Sequence, residues 1–152
     1  VRSSAASDVY KRQIEAMLKR PSVRLSEAHE DDLADKDCLI IDSFGLLSSI
    51  YRYGQIAYIG GGFGAGIHNT LEAAVYGMPV LFGPRYHKFK EAKDLIAVGG
   101  GFSITDDSSF RTKMDELLTD PTALETSGQA AGDFVKNSVG ATDQILRQIH
   151  IR

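Results

Sequence analysis

Short apolar runs alternate along this chain with longer segments in which apolar residues recur every three or four positions. The runs predict five strands, at 22–26, 38–42, 56–60, 79–83 and 101–104. Two of these, "CLIID" and "PVLFG", are almost continuously apolar, which is typical of parallel strands buried on both faces. The intervening spacing predicts amphipathic helices. They fall at 14–20, 43–54, 68–77, 88–99 and 106–120, with one or two closing helices within 121–149.

Local signals support several of these helix ends. Pro21 stops the first helix, Gly77 caps the 68–77 helix, and Pro121 suits a helix start. Ser43 is the predicted N-cap of the 43–54 helix, and Gly54 follows its end. Two apolar stripes are expected to face a core: Leu46, Leu47, Ile50 and Tyr51 in that helix, and Phe110, Met114, Leu117 and Leu118 in the 106–120 helix.

This alternation predicts a Rossmann-like α/β fold, a parallel sheet with helices on both faces. A doubly wound domain normally opens with a strand, whereas this chain opens with a helix, so we expect its first strand to be lacking. Residues 1–13, "VRSSAASDVYKRQ", have no clear period and are interpreted as an artificial or library-derived leader. A frayed native helix start is the alternative. Residues 14–152 are predicted to form one truncated domain.

Composition narrows the class of protein. The chain has 152 residues, 43% hydrophobic and 24% charged, which suits one soluble globular domain. A net charge of -3 argues against a broad nucleic-acid surface. No apolar run approaches the roughly 20 residues of a membrane span, and no signal peptide is evident. The single Cys38 is expected to be a small buried residue, which excludes a disulfide within the chain and favours a reducing, cytoplasmic setting.

The segment "YIGGGFGAGIHNTLEAAVYG" carries the candidate chemistry. It places a glycine loop at the carboxyl end of a predicted strand, where open α/β sheets bind ligands. The following helix N-terminus suits a phosphate or carboxylate. The helical prediction puts Glu72 one turn beyond His68, and a carboxylate there suits a vicinal diol such as a ribose. A second loop, "FGPRYHKFKEA", brings Arg85, His87 and Lys88 to the same sheet edge.

Other interpretations of these residues stay open. His68 can be a structural residue bonded to backbone, and Glu72 can cap its own helix. His68 and Glu72 at i, i+4 are two possible metal ligands without a third candidate, so no metal is expected. The spacing of Gly60, Gly62 and Ala65 fits a loosened dinucleotide fingerprint, but no acidic residue closes a strand about 20 residues later. A phosphate-binding P-loop is absent from the sequence, since it contains no G-K-[ST].

The glycine loop, the polar residues after it, the carboxylate of Glu72 and the following "GMPVLFGP" together resemble one family, the Kdo transferases. These enzymes transfer 3-deoxy-D-manno-octulosonic acid from CMP-Kdo to a lipid A precursor. The segment that carries the resemblance is "GIHNTLEAAVYGMPVLFGPRYHKFKEAKDL", and its most diagnostic part is the His-Asn-x-x-Glu core, His68 to Glu72. The flanking "IIDSFGLLSSIYRYGQIAYIGGG" and "NSVGATDQILRQI" are similar to family segments, so the likeness covers Ile14 to Ile151. It implies the nucleotide-sugar-binding, C-terminal half of an inverting two-domain GT-B glycosyltransferase in lipopolysaccharide biosynthesis, inactive without its N-terminal domain.

The resemblance also implies roles for single residues. Glu72 would bind the ribose hydroxyls, whereas Gly61, Gly62, Gly66, His68, Asn69 and Thr70 would face the phosphate and the Kdo moiety. Ser43, Phe44 and Gly45 are possible contacts on the cytosine side, and Lys88 is a further possible contact. No catalytic residue, cofactor or metal is expected here. The lipid A precursor acceptor and the membrane surface, at the cytoplasmic face of the bacterial inner membrane, would be met by the missing domain.

Three departures from the family pattern bear on these roles. Gly62 stands where the family often has Ser, Ile67 where it often has Gly, and Lys88 where Asn is common. The domain that carries the catalytic Glu in the family is missing. Two other classes remain open: a GT-B transferase that uses a UDP-sugar, and a non-catalytic Rossmann-like module that binds NAD or a similar ligand.

Overall fold

The computed structural model describes residues 12–29, 31, 33–43 and 45–138. Contacts divide the chain into a first unit, Val1–Ser49, and a second unit, Ile50–Arg152. The predicted leader up to residue 11, and the part of the predicted closing helices after residue 138, lie outside the described residues. Among the described residues, every helix is too short or too polar to cross a bilayer.

The first unit contains a two-stranded parallel sheet. Residues 12–17 form helix α1, and strands β1 (Ser22–Arg24) and β2 (Cys38–Ile40) pair in parallel. A short 3-10 turn, Leu25–Glu27, follows β1. The Arg24 guanidinium joins helix and strand, because it donates to Glu15 at 2.7 Å and to Glu27 at 3.2 Å. The two predicted strands of this unit are confirmed, and so is the prediction that the first helix ends before Pro21.

The predicted burial of β2 on both faces is wrong within this unit. Leu39 is 42% exposed, and Cys38 is only half-buried. A strand in a two-stranded sheet has few neighbours to cover its second face. The apolar run therefore predicted the strand correctly but overstated how much of it is covered.

The second unit is built on a three-stranded parallel sheet of β3 (Ala57–Ile59), β4 (Val80–Phe82) and β5 (Gly101–Ser103), hydrogen-bonded in that order. Helix α2 (Leu47–Ile50), which begins in the first unit, and a 3-10 turn (Tyr51–Tyr53) precede β3. The helices of the second unit are α3 (Leu71–Ala74), α4 (Lys90–Ala97), α5 (Asp107–Thr119) and α6 (Pro121–Ser138).

The central strand β4 carries helices on both faces of this sheet. Val80 and Phe82 belong to a core cluster with residues of α3, α4 and α6. Leu81 points to the other face, where it packs with Ile104 and with Leu117 of α5. All three β4 side chains are fully buried. The predicted α/β class with parallel strands is confirmed, although the described strands form two sheets rather than one.

Several helix predictions need correction. Helix α2 begins at Leu47, so Ser43 is not its N-cap; Gly45, with a φ of 82°, interrupts the predicted segment. Leu46 and Leu47 are exposed rather than buried. Leu118 is 62% exposed, because α5 faces the core through its neighbour Leu117.

Helix α6 approaches the end of α3 closely through glycines. A methyl group on Gly128 would lie 2.4 Å from the carbonyl oxygen of Gly77, and one on Gly132 would lie 3.2 Å from the Gly77 Cα. Gly77 has a φ of 71° as it turns the chain from α3 towards β4. At Gly128 only a hydrogen atom fits, so this glycine sets how closely α6 approaches the turn after α3.

We predict that Gly128→Ala destabilises the chain. The new methyl group would overlap the Gly77 carbonyl, and overpacking of this kind costs about 1–3 kcal/mol. The overlap is with main chain, so the upper part of that range, about 2–3 kcal/mol, is expected; alanine's helix propensity returns ~1 kcal/mol, which leaves a net loss of about 1–2 kcal/mol. The midpoint of urea unfolding measures it. Gln129→Ala, at an exposed position of the same helix, is the control and should leave the midpoint nearly unchanged. Equal midpoints for both variants would contradict the close crossing.

A capping box fixes the start of α5. The Asp106 carboxylate accepts the Ser109 N–H at 2.7 Å, while the Asp106 N–H donates to the Ser109 hydroxyl at 3.0 Å. The Ser109 hydrogen bonds lower the pKa of Asp106, because they favour the ionised carboxylate. With a lowered folded pKa, this carboxylate contributes stability above its unfolded pKa, and the contribution is lost as the pH falls through the folded value.

Asp106→Ala is therefore expected to lower Tm at pH 7, with a difference from wild type that shrinks below about pH 4, where unfolded aspartates begin to protonate. Thermal unfolding followed by circular dichroism between pH 7 and pH 2.5 tests this. Asp35→Ala, in an exposed turn, is the control. A Tm difference that stays constant across this pH range would show that the ionised carboxylate is not what stabilises the helix start.

Candidate functional site

The glycine loop between β3 and α3 has a defined main-chain fold. The Gly61 carbonyl accepts the N–H groups of Gly64 at 2.9 Å and Gly66 at 3.2 Å, and the His68 N–H donates to Gly60 at 3.3 Å. Gly61 and Gly66 have φ values of 88° and 136°, and a methyl group on Gly61 would lie 2.2 Å from the Gly66 carbonyl oxygen. Side chains at these two positions would disrupt the loop.

This loop is held against the loop that follows β4. Gly62 and Gly83 pack main chain on main chain, since a methyl group on Gly62 would lie 2.5 Å from the Gly83 nitrogen. The Arg85 N–H donates to the Gly62 carbonyl at 3.0 Å, and the Arg85 Nη1 donates to the Gly64 carbonyl at 2.6 Å. The predicted meeting of the two loops at the carboxyl edge of the sheet is therefore confirmed.

The polar residues before α3 have a different arrangement from the predicted helical turn. Helix α3 begins only at Leu71, so His68 and Asn69 precede it, and the argument that His68 and Glu72 share a helix face is wrong. Asn69 accepts the Leu71 N–H at 3.0 Å, and its Nδ2 donates to Glu72 Oε1 at 3.0 Å. Asn69 thus both starts the helix and orients the Glu72 carboxylate.

The other predicted site residues differ in accessibility. His68 and Asn69 are exposed, and Glu72 is half-buried. Thr70 is fully buried, and its hydroxyl has no hydrogen-bond partner among the described residues. Its side chain therefore faces the interior, contrary to the expected contact with a ligand. Gly62 is also buried, and its described role is the contact with Gly83.

The remaining predicted residues are less constrained. Lys88 is exposed in the loop after β4. Ser43 and Gly45 are exposed residues of the first unit, and Phe44 lies outside the described residues.

Two cavities, of about 570 and 380 Å³, flank α5, and residues that line them include Phe102, Lys113, Tyr58 and Phe110. Neither cavity is lined by His68, Asn69 or Glu72. Within the described ranges, no group of three His, Cys, Asp or Glu residues is placed to hold a metal ion.

The structure associates one further residue, Tyr51, with Glu72 of the candidate site, whereas the sequence had assigned Tyr51 to packing alone. Tyr51 packs against the core cluster of the second unit, and its environment raises its pKa, first through burial and then through the negative charge of Glu72. The phenol therefore lies within electrostatic range of the Glu72 carboxylate. The sequence carried no signal for this proximity, because 20 residues and a strand separate the two positions. The Asn69–Glu72 contact could have been predicted from the sequence, because Asn-x-x-Glu has the spacing of a capping box.

Replacement of Glu72 by Gln should lower the pKa of Tyr51. The substitution removes the negative charge that disfavours the phenolate, although burial keeps the pKa above the usual tyrosine value of about 10. An NMR titration with 13C-labelled tyrosine, assigned through Tyr51→Phe, measures the shift. Glu91→Gln, in the first turn of α4, is the control. An unchanged Tyr51 titration in Glu72→Gln would exclude the described proximity.

The chain is similar to proteins of one kind. It is 39% identical over 85 residues to the 3-deoxy-D-manno-octulosonic acid transferase of Aquifex aeolicus, a match that covers 55% of this chain and 24% of that protein. It is 33% identical over 116 residues to the protein of the same name from Rickettsia conorii, with 74% and 25% covered. The chain thus spans about a quarter of the length of these curated relatives. No protein-family model matches it.

A solved structure is similar along most of the chain. The C-terminal CMP-Kdo binding domain of WaaA from Acinetobacter baumannii superposes with a TM-score of 0.71 and 25% identity, covering 87% of this chain and 69% of that one. The sequence matches and this likeness agree on the kind of protein, and the solved structure assigns the likeness to the C-terminal domain. The chain belongs to the Kdo transferase family, and it corresponds to the C-terminal domain of those proteins.

Proposed function

We propose that this chain is the donor-binding half of a Kdo transferase and binds CMP-Kdo at the glycine loop. The observation that carries the proposal is the arrangement at the carboxyl edge of the β3-β4-β5 sheet. There, two loops are joined through Gly62 and Arg85, and a carboxylate oriented by Asn69 stands beside them. The similarity to a solved CMP-Kdo binding domain supports this choice of ligand.

The proposed roles follow from the chemistry of each group. Glu72 accepts hydrogen bonds from the two ribose hydroxyls, because an oriented carboxylate offers two oxygens to a vicinal diol. Gly61 and Gly66 let the phosphate approach the main chain, and exposed His68 and Asn69 face the phosphate and the sugar acid. Buried Gly62 contributes by holding this loop against Gly83. Since its hydroxyl is buried, Thr70 contributes through its main chain. Ser43, Phe44, Gly45 and Lys88 stay possible contacts.

In the full-length parent, the reaction is an inverting glycosyl transfer. A base on the N-terminal domain takes a proton from a hydroxyl of the lipid A precursor, and that oxygen attacks the anomeric carbon as CMP leaves. Fixed dipoles of the loop stabilise the departing phosphate, which is the part of catalysis this chain supplies. The parent acts in lipopolysaccharide biosynthesis at the cytoplasmic face of the inner membrane, and its N-terminal domain contacts acceptor and membrane.

The finer fold class is the C-terminal half of a GT-B glycosyltransferase. The described strands agree with this class, because the strands of each unit pair in parallel. In the second unit, helices α3 and α4 connect the consecutive strands of the sheet, as parallel pairing requires.

Titration of the chain with CMP, UMP and NAD tests the proposal. We expect CMP to bind more tightly than UMP or NAD and to shift the amide NMR signals of residues 60–72. Glu72→Ala should weaken CMP binding by roughly 1–3 kcal/mol, the cost of a lost charged hydrogen-bond acceptor. Glu125→Ala, at an exposed position of α6, should bind CMP as wild type does.

Each alternative outcome has a distinct meaning. Tighter binding of UMP would favour a transferase that uses a UDP-sugar, and tighter binding of NAD would favour a non-catalytic dinucleotide module. CMP binding that Glu72→Ala leaves unchanged would remove the ribose assignment. A well-dispersed wild-type sample that binds none of the three would overturn a competent donor site on this chain.

A further inference from the structure

Arg85 joins the two loops of the candidate site through two separate hydrogen bonds. Its main-chain N–H donates to the Gly62 carbonyl at 3.0 Å, and its guanidinium donates to the Gly64 carbonyl at 2.6 Å. Both acceptors belong to the glycine loop, whereas Arg85 lies in the loop after β4. The residue therefore reaches across the carboxyl edge of the sheet and fixes one loop relative to the other.

The guanidinium retains most of its hydrogen-bonding capacity. An arginine side chain has five N–H donors in a planar fork, and the contact with Gly64 uses the Nη1 end. Arg85 is exposed, and within the described residues it forms no ion pair with a carboxylate. Lys90, in the neighbouring helix, differs in this respect because it pairs with Asp94. Arg85 thus presents an uncompensated positive charge beside the glycine loop.

This charge suits the ligand chemistry of the proposed site. A nucleoside monophosphate ester of a sugar acid carries negative charge on a phosphate next to the bond that breaks. Arginine binds phosphate through paired, charge-assisted hydrogen bonds, which are stronger than neutral ones. A guanidinium already anchored by Gly64 loses less conformational freedom on binding than a free side chain does.

We propose that Arg85 is a binding residue for the donor phosphate, held in place by its hydrogen bond to Gly64. This inference rests on the proposed function, because it assumes that a nucleotide occupies the glycine loop. The inference goes beyond the proposed function because it assigns the anion contact to a side chain of the loop after β4 rather than to the glycines of the glycine loop alone. When the phosphate departs as CMP, its additional negative charge remains next to this guanidinium.

The test compares CMP with cytidine, which lacks the phosphate, and with inorganic phosphate, using amide NMR titrations of the full chain at low salt. We expect Arg85→Gln to weaken CMP binding at least tenfold, the lower end for a hydrogen bond to a charged group. Cytidine affinity should change less than twofold. Arg85→Lys keeps the charge without the fork and should fall between wild type and Arg85→Gln. Lys93→Gln, at an exposed position of α4, is the control for charge alone.

The outcomes separate this inference from the proposed function. Equal losses of CMP and cytidine affinity in Arg85→Gln would mean that Arg85 only shapes the loop, and would overturn the phosphate contact. Equal effects of Arg85→Gln and Lys93→Gln on CMP would also overturn it. A wild-type chain that binds inorganic phosphate through Arg85 but does not bind CMP would retain the anion site and refute the proposed donor. A wild-type chain that binds neither would refute both.

Discussion

The contact between the main chains of Gly62 and Gly83 is the constraint on which the candidate site depends. Each glycine follows a strand of the parallel sheet, and a side chain on either would overlap the main chain of the other, at 2.5 or 2.6 Å. Because only hydrogen atoms separate them, the two loops run close enough for Arg85 to bond both Gly62 and Gly64. The position of the glycine loop then determines where His68 leaves it and where α3 begins.

The same use of small residues continues below the site. Ala73, Ala74, Ala92 and Ala131 are fully buried between the sheet and its helices. Short side chains let α3, α4 and α6 lie near the main chain of the sheet, so the layer of side chains between the sheet and these helices is thin and closely packed. Bulk is supplied by few residues, chiefly Phe82 and Leu95 on this face.

Local signals predicted the elements of this fold better than their contacts. Apolar runs located all five strands, and Pro121 marked the start of α6, because such signals act within a few residues. The predicted 68–77 helix was too long: it begins only at Leu71, whose N–H donates to the Asn69 side-chain oxygen, and the chain before it is still in the glycine loop, where Gly66 has a φ of 136°. Tyr51 beside Glu72, Arg85 on Gly64 and the buried Thr70 side chain could not be predicted, because each results from tertiary packing between segments.

The three-stranded sheet has one further consequence, which concerns association between molecules. Among the described strands, β3 is hydrogen-bonded to β4 alone, so its other edge presents main-chain donors and acceptors without a strand partner. Its central residue, Tyr58, is 47% exposed, and no charged residue interrupts the strand. Natural edge strands are usually shielded by charge, proline or a bulge. The strand is only three residues long, and a short edge limits how many main-chain hydrogen bonds a strand from another molecule can form there.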